Sequence, residues 1–162
     1  MTQQTVSGRT IQGSPVALSG APEAAVRLVG ALLALAIAAV HVADQGGITA
    51  LAAPAWIGWG YRLIEVGGVL TALTLVCLRP ARLGPAWLGW AAGVLLGAGP
   101  FAAYIASRTV GLPGDPADIG NWGYWLGTVS LIVEVALVIL SAGMLLAMRG
   151  ALIRQLLPRR TP

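Results

Sequence analysis

Four apolar runs, each about twenty residues or longer, are the feature that most constrains this chain. They cover 24–43, 57–78, 85–107 and 123–148, and short stretches rich in Gly, Pro, Asp or Arg separate them. An α-helix rises about 1.5 Å per residue, so each run is long enough to cross the roughly 30 Å hydrocarbon core of a bilayer. Helices are the expected form, because every backbone polar group in hydrocarbon must find its partner within the segment. Composition closes off the soluble alternative. Of 162 residues, 57% are hydrophobic and 10% are charged, and a soluble domain of this size has too little interior to hide that apolar surface. The expected fold class is all-α: a polytopic membrane protein built as a four-transmembrane-helix bundle.

The remaining segments divide the chain. Residues 1–22 are polar and turn-forming and read as a disordered tail, without the basic, apolar, small-residue order of a cleaved signal. Residues 23–149 form the transmembrane domain, and 150–162 a basic tail that continues the fourth helix.

Charge gives the orientation. The pI near 10.2 comes from ten Arg without Lys, and most of these lie at the ends of apolar runs, as topology signals do; they do not form a nucleic-acid-binding patch. A cytoplasmic N-terminus places Arg9, Arg27, Arg79, Arg82, Arg149, Arg154, Arg159 and Arg160 inside and leaves only Arg62 and Arg108 on the outer half. Both termini are then expected in the cytoplasm, with Asp44, Asp115 and Asp118 outside. Trp56, Trp59, Trp122 and Trp125 would mark the outer interface, and Trp87 and Trp90 the inner one. The single cysteine, Cys77, excludes an intrachain disulfide, a CxxC redox pair and a Cys-rich metal site.

Within the helices, small and polar residues recur at spacings of three and four, which puts each set on one face. The stripes are Gly30, Ala34, Ala38, His41 and Asp44; Tyr61, Glu65, Gly68 and Ala72; Gly89, Gly93, Gly97, Pro100, Tyr104 and Arg108; and Gly123, Gly127, Ser130, Glu134 and Ser141. Membrane helices pack through small residues, so these faces should meet and bring their polar members together. Counting from Trp56 and Trp122 sets Glu65 about 13 Å and Glu134 about 18 Å deep, with His41, Tyr104 and Arg108 nearer the outer boundary. The expected site is an outward polar pocket of Glu65, Glu134, Arg62, Arg108, Tyr104 and His41.

That set supports three readings. It could bind or pass a proton, a cation or a small polar ligand, since buried carboxyls serve as such sites. It could instead be structural, with Glu–Arg pairs locking the helices and the Gly ladders docking a homodimer partner or a larger membrane complex. Or His41, Glu65 and Glu134 could hold a transition metal in a redox or metal-handling protein, although the depth estimate sets His41 about two turns above the glutamates. No catalytic motif is present and no cofactor is expected. The tripeptide Trp-Gly-Tyr occurs twice, at 59–61 and 122–124, as if two helical hairpins shared an origin.

The run Tyr104-Ile-Ala-Ser-Arg-Thr-Val-Gly-Leu-Pro-Gly114, followed by an acidic loop, a Trp and a Glu-bearing last helix, resembles a group of small uncharacterised four-helix integral membrane proteins of bacteria. In that group the third helix ends in Ser-Arg-Thr-x-Gly-Leu-Pro and the fourth carries a membrane glutamate; the matching positions here are Ser107, Arg108, Thr109, Gly111, Leu112, Pro113 and Glu134. The resemblance is specific over the last third of the chain. It implies the fold and a location in the bacterial plasma membrane, and brings no activity with it.

Overall fold

The structure, a computed structural model, describes residues 20–78 and 87–156, with the side chains of the last helix described through Gly150. The tail at residues 1–19, Arg79 and Arg82, and the side chains of the basic C-terminal tail lie outside the described residues. Four long helices, α1 (Ala21–Asp44), α2 (Ala55–Cys77), α3 (Trp87–Thr109) and α4 (Trp125–Leu156), make up the fold, with a 3-10 turn at Pro116–Asp118. There is no β-strand among the described residues, and each of the four helices is long and apolar enough to cross a membrane.

The helix ends follow local chemistry. α1 begins earlier than its apolar run, at Ala21, because Pro22 tolerates the first turn and Glu23 complements the helix dipole there. It stops where Gly46 and Gly47 take positive φ, with the Gly47 N–H donating to the Val42 carbonyl at 2.8 Å. α3 ends similarly: the Gly111 N–H donates to the Ala106 carbonyl at 3.0 Å, and Gly111 has φ +80°. A Cβ at Gly111 would also sit 2.9 Å from the Ile119 side chain, so both conformation and space call for glycine. α4 begins at Trp125, which leaves Gly123 exposed in the preceding loop and off the packing stripe to which its spacing assigned it.

The remaining stripe residues turn inward. α1 packs most closely on α2 and α3 on α4; α1 also packs on α4, and of the neighbouring pairs α2 and α3 make the thinnest seam. Gly68 brings α2 onto the backbone of α1, where an added Cβ would lie 2.7 Å from the Ala34 carbonyl oxygen. Gly97 does the same between α3 and α4, 2.7 Å from the Glu134 carbonyl oxygen. Leu63, Leu95, Ile132 and Ile139 point outward and are each at least 65% exposed, an apolar exterior that a bilayer, not water, accommodates.

One end of the bundle is an apolar core of Ile37, Leu75, Trp90 and Leu137, all fully buried. Trp90 therefore does not belong to an interfacial belt. Gly30 leaves the space that its ring fills, since a Cβ there would approach the indole to 2.9 Å. Trp87, by contrast, is exposed. Below this core the buried Arg27 pairs with Glu23 at 3.0 Å and donates to the carbonyls of Leu75 and Leu78, at 3.1 and 2.9 Å. It thus caps the C-terminus of α2, where orphan carbonyls and the helix dipole both favour a cation.

Candidate functional site

The other end of the bundle holds a cavity with most of the expected site residues. There the C-termini of α1 and α3 meet the start of α2, the start of α4 and the α3–α4 loop, around a cavity of about 360 Å³. Its rim is built on two carboxylates. Asp44, at the last turn of α1, accepts hydrogen bonds from the hydroxyls of Tyr61 on α2 and of Tyr124 just ahead of α4, the latter at 2.6 Å. The hydrogen bond to Asp44, with partial burial, pushes the Tyr124 phenol up to about 12. Asp118, in the 3-10 turn, forms an ion pair with Arg108. The Arg108 guanidinium also lies 4.6 Å above the Tyr104 ring and donates to Ser107 Oγ at 3.2 Å. Tyr104 has room because residue 127 is glycine; a Cβ there would come within 2.3 Å of the ring.

The floor is formed by Glu134 and His41. Glu134 is 1% exposed and lines the cavity. Its Oε1 accepts a hydrogen bond from Ser130 Oγ, one turn earlier, at 2.5 Å, and its Oε2 has no partner. Opposite, His41 Nδ1 lies 2.9 Å from the Ile37 carbonyl, which can only accept, so Nδ1 bears the hydrogen. In the neutral ring that leaves a lone pair on Nε2, which stands 3.8 Å from Glu134 Oε1. The imidazole is held in place by a tilted contact with the Tyr61 ring, centroids 5.5 Å apart.

Of the six residues singled out by spacing, His41, Tyr104, Arg108 and Glu134 line this cavity, and Arg62 and Glu65 do not. Glu65 is bonded to Arg62 at 2.5 Å and accepts from the Gln45 amide. Arg62 also donates to the carbonyls of Ile48 and Ala50. This pair therefore ties α2 to the α1–α2 loop. Arg108 takes its counter-ion from the loop acid Asp118, so neither arginine neutralises Glu134.

The depth estimate also needs correction. Trp122 precedes the helix, so a rise of 1.5 Å per residue does not apply from it, and His41 lies level with the Glu134 carboxyl, its Nε2 3.8 Å from Oε1. The two Trp-Gly-Tyr motifs likewise differ in setting, one inside the second turn of α2 and one ahead of α4. Their tyrosines nonetheless converge on one Asp44. Spacing had placed Asp44, Tyr61 and Ser130 on inward stripes without assigning them a bond; the repeated tripeptide was the available signal for Tyr124.

Among the described residues no group of three His, Cys, Asp or Glu side chains converges as a metal site. His41 and Glu134 face one another, and Glu65 is engaged by Arg62 and Gln45. No family model matches the chain, and neither a curated protein nor a solved structure matches it.

Proposed function

We propose that this chain is a multi-pass protein of the bacterial plasma membrane, with both termini cytoplasmic, whose outward polar cavity binds or passes a proton or a small polar ligand at Glu134 and His41. One observation carries this reading above the structural alternative. Glu134 is almost wholly buried on the cavity wall, has one oxygen without a partner, and has no arginine beside it. A carboxyl kept only for stability would be expected to have its acceptors filled, since a buried unpaired polar atom costs about 1–3 kcal/mol. Facing it, His41 Nε2 can carry a proton or accept one, so the pair provides two stations for a hydrogen 3.8 Å apart. The charged and titratable groups around them are Asp44 on α1, Tyr61 and Glu65 on α2, Tyr104 and Arg108 on α3, Asp115 and Asp118 in the α3–α4 loop, and Tyr124 ahead of α4.

The outward direction rests on the arginine distribution, which leaves only Arg62 and Arg108 on the cavity's half. The structural reading fits Arg62 and Glu65, whose partners are one another and the α1–α2 loop.

Infrared difference spectroscopy in proteoliposomes tests the proposal. A carboxyl titration that follows the external pH is expected in the wild type. It should disappear in Glu134→Gln, shift in His41→Ala and persist in Glu65→Gln. A wild-type spectrum without such a titration, or one unaffected by Glu134→Gln, would sink the reading and favour an accessory subunit.

A further inference from the structure

The cavity shares part of its wall with the outer face of the bundle. Gly60, Ile64, Pro100 and Ala103 line it and also line a second, more open hollow of about 600 Å³ along the seam of α2 and α3. This second hollow is an apolar groove: Leu63, Leu70, Leu95 and Leu96 form its walls, and Gly67 and Gly99 remove side chains that would otherwise fill it. It lies where two adjacent helices pack least, on an exterior whose large apolar residues are exposed. A polar chamber and an apolar furrow that share four wall residues match one kind of occupant, a molecule with one polar and one apolar end.

The unfilled hydrogen-bonding capacity specifies the polar end. Glu134 Oε2 and His41 Nε2 are acceptors without donors, while the Tyr61 and Tyr124 hydroxyls are already committed to Asp44. Arg108 Nε, also in the cavity wall, is a donor without an acceptor. A hydroxyl gives one hydrogen, to either of the two facing acceptors, and its own oxygen can still accept. A carboxylate would meet Glu134 with like charge.

Resting on the reading of the cavity as a ligand site, we infer that its ligand is a hydroxyl-headed, single-chain amphiphile that enters sideways from the bilayer between α2 and α3. The hydroxyl lies against Glu134 and His41, and the chain lies along the α2–α3 groove.

Two phenols of different length separate this inference from the pocket reading. A phenol with a photoreactive diazirine on a dodecyl chain, in liposomes, should label Leu70 and Leu95, and unlabelled 4-dodecylphenol should compete. Gly67→Leu combined with Gly99→Leu fills the groove at positions whose added Cβ meets only Leu96 at 3.6 Å or nothing at all, so the bundle retains its packing. This variant should lose labelling at least tenfold while binding water-soluble 4-ethylphenol, followed by calorimetry, within twofold of wild type. Glu134→Gln should weaken both at least tenfold. Labelling spread evenly over the lipid-facing side chains, or unchanged in the filled-groove variant while 4-ethylphenol still binds, overturns the lateral amphiphile and leaves the pocket reading intact. Failure of the wild type to bind either phenol overturns the amphiphile and leaves the proton reading to the infrared titration.

Discussion

Glu65 and Glu134 look alike in sequence, in Leu-Ile-Glu-Val and Leu-Ile-Val-Glu-Val on inward helix faces, yet the fold treats them oppositely. Glu65 sits against α1, where Arg62, one turn earlier on its own helix, and Gln45 of the α1–α2 loop reach its two oxygens. Glu134 sits against α3 and α1, where Ser130 supplies one hydrogen bond and His41 stops 3.8 Å short. A buried carboxyl with its acceptors filled fixes a structure, and one with an acceptor left open has capacity for something else. The difference comes from the neighbours, not from depth or residue type.

The sharpest way to break this comparison is to neutralise each carboxyl in turn. Glu65→Gln leaves a largely buried arginine without its counter-ion, with only the carbonyls of Ile48 and Ala50 to hold it, and should lower stability by about 3 kcal/mol, read by thermal or denaturant unfolding in detergent. Glu134→Gln keeps the bond from Ser130 and should change stability by less than about 1 kcal/mol. Equal losses would mean that both glutamates are structural. Next in size is a pair of glycine substitutions. Gly68→Ala drives a methyl into the α1 backbone, which cannot move aside, and should cost about 2 kcal/mol with the cavity unaltered. Gly127→Ala meets the Tyr104 ring first, which can swing away, and should cost about 1 kcal/mol while weakening binding at the proposed site. Stability and binding falling together in both would dissolve the distinction between a packing seam and a site.

The smallest effect is at the rim. Tyr124, pushed up to about 12 by its bond to Asp44, should ionise later than an ordinary tyrosine in an ultraviolet titration, and revert toward the ordinary value of about 10 in Asp44→Asn. The sign follows from the raised value. The bond's contribution to stability is complete below about pH 10 and is lost as pH climbs through about 12.

Periodicity made the four helices and their inward faces legible, because small residues at spacings of three and four have one use in a bundle. It also put His41, Tyr104, Arg108 and Glu134 on those faces. It could not pair them. Arg108 finds Asp118, and Arg62 finds the carbonyls of Ile48 and Ala50, through loops whose turns carry no period. Arg27 shows a different limit. Its position at a helix end reads as a topology signal, yet its side chain folds back to close the end of α2, and nothing local in the sequence marks that second role. Trp90 was misplaced for a related reason: tryptophan near a run's end usually anchors an interface, and here Gly30 on another helix opens a hole for it.

The close pairing of α1 with α2 and of α3 with α4 has a consequence for assembly. The first hairpin carries His41, Asp44 and Tyr61, and the second carries Tyr104, Arg108, Tyr124 and Glu134. Neither hairpin alone contains an imidazole facing a carboxyl, nor a carboxylate bridging two phenols. In membrane insertion that proceeds hairpin by hairpin, the chamber has no precursor. It comes into being at the moment the two halves dock, and is complete only once the last helix is in place.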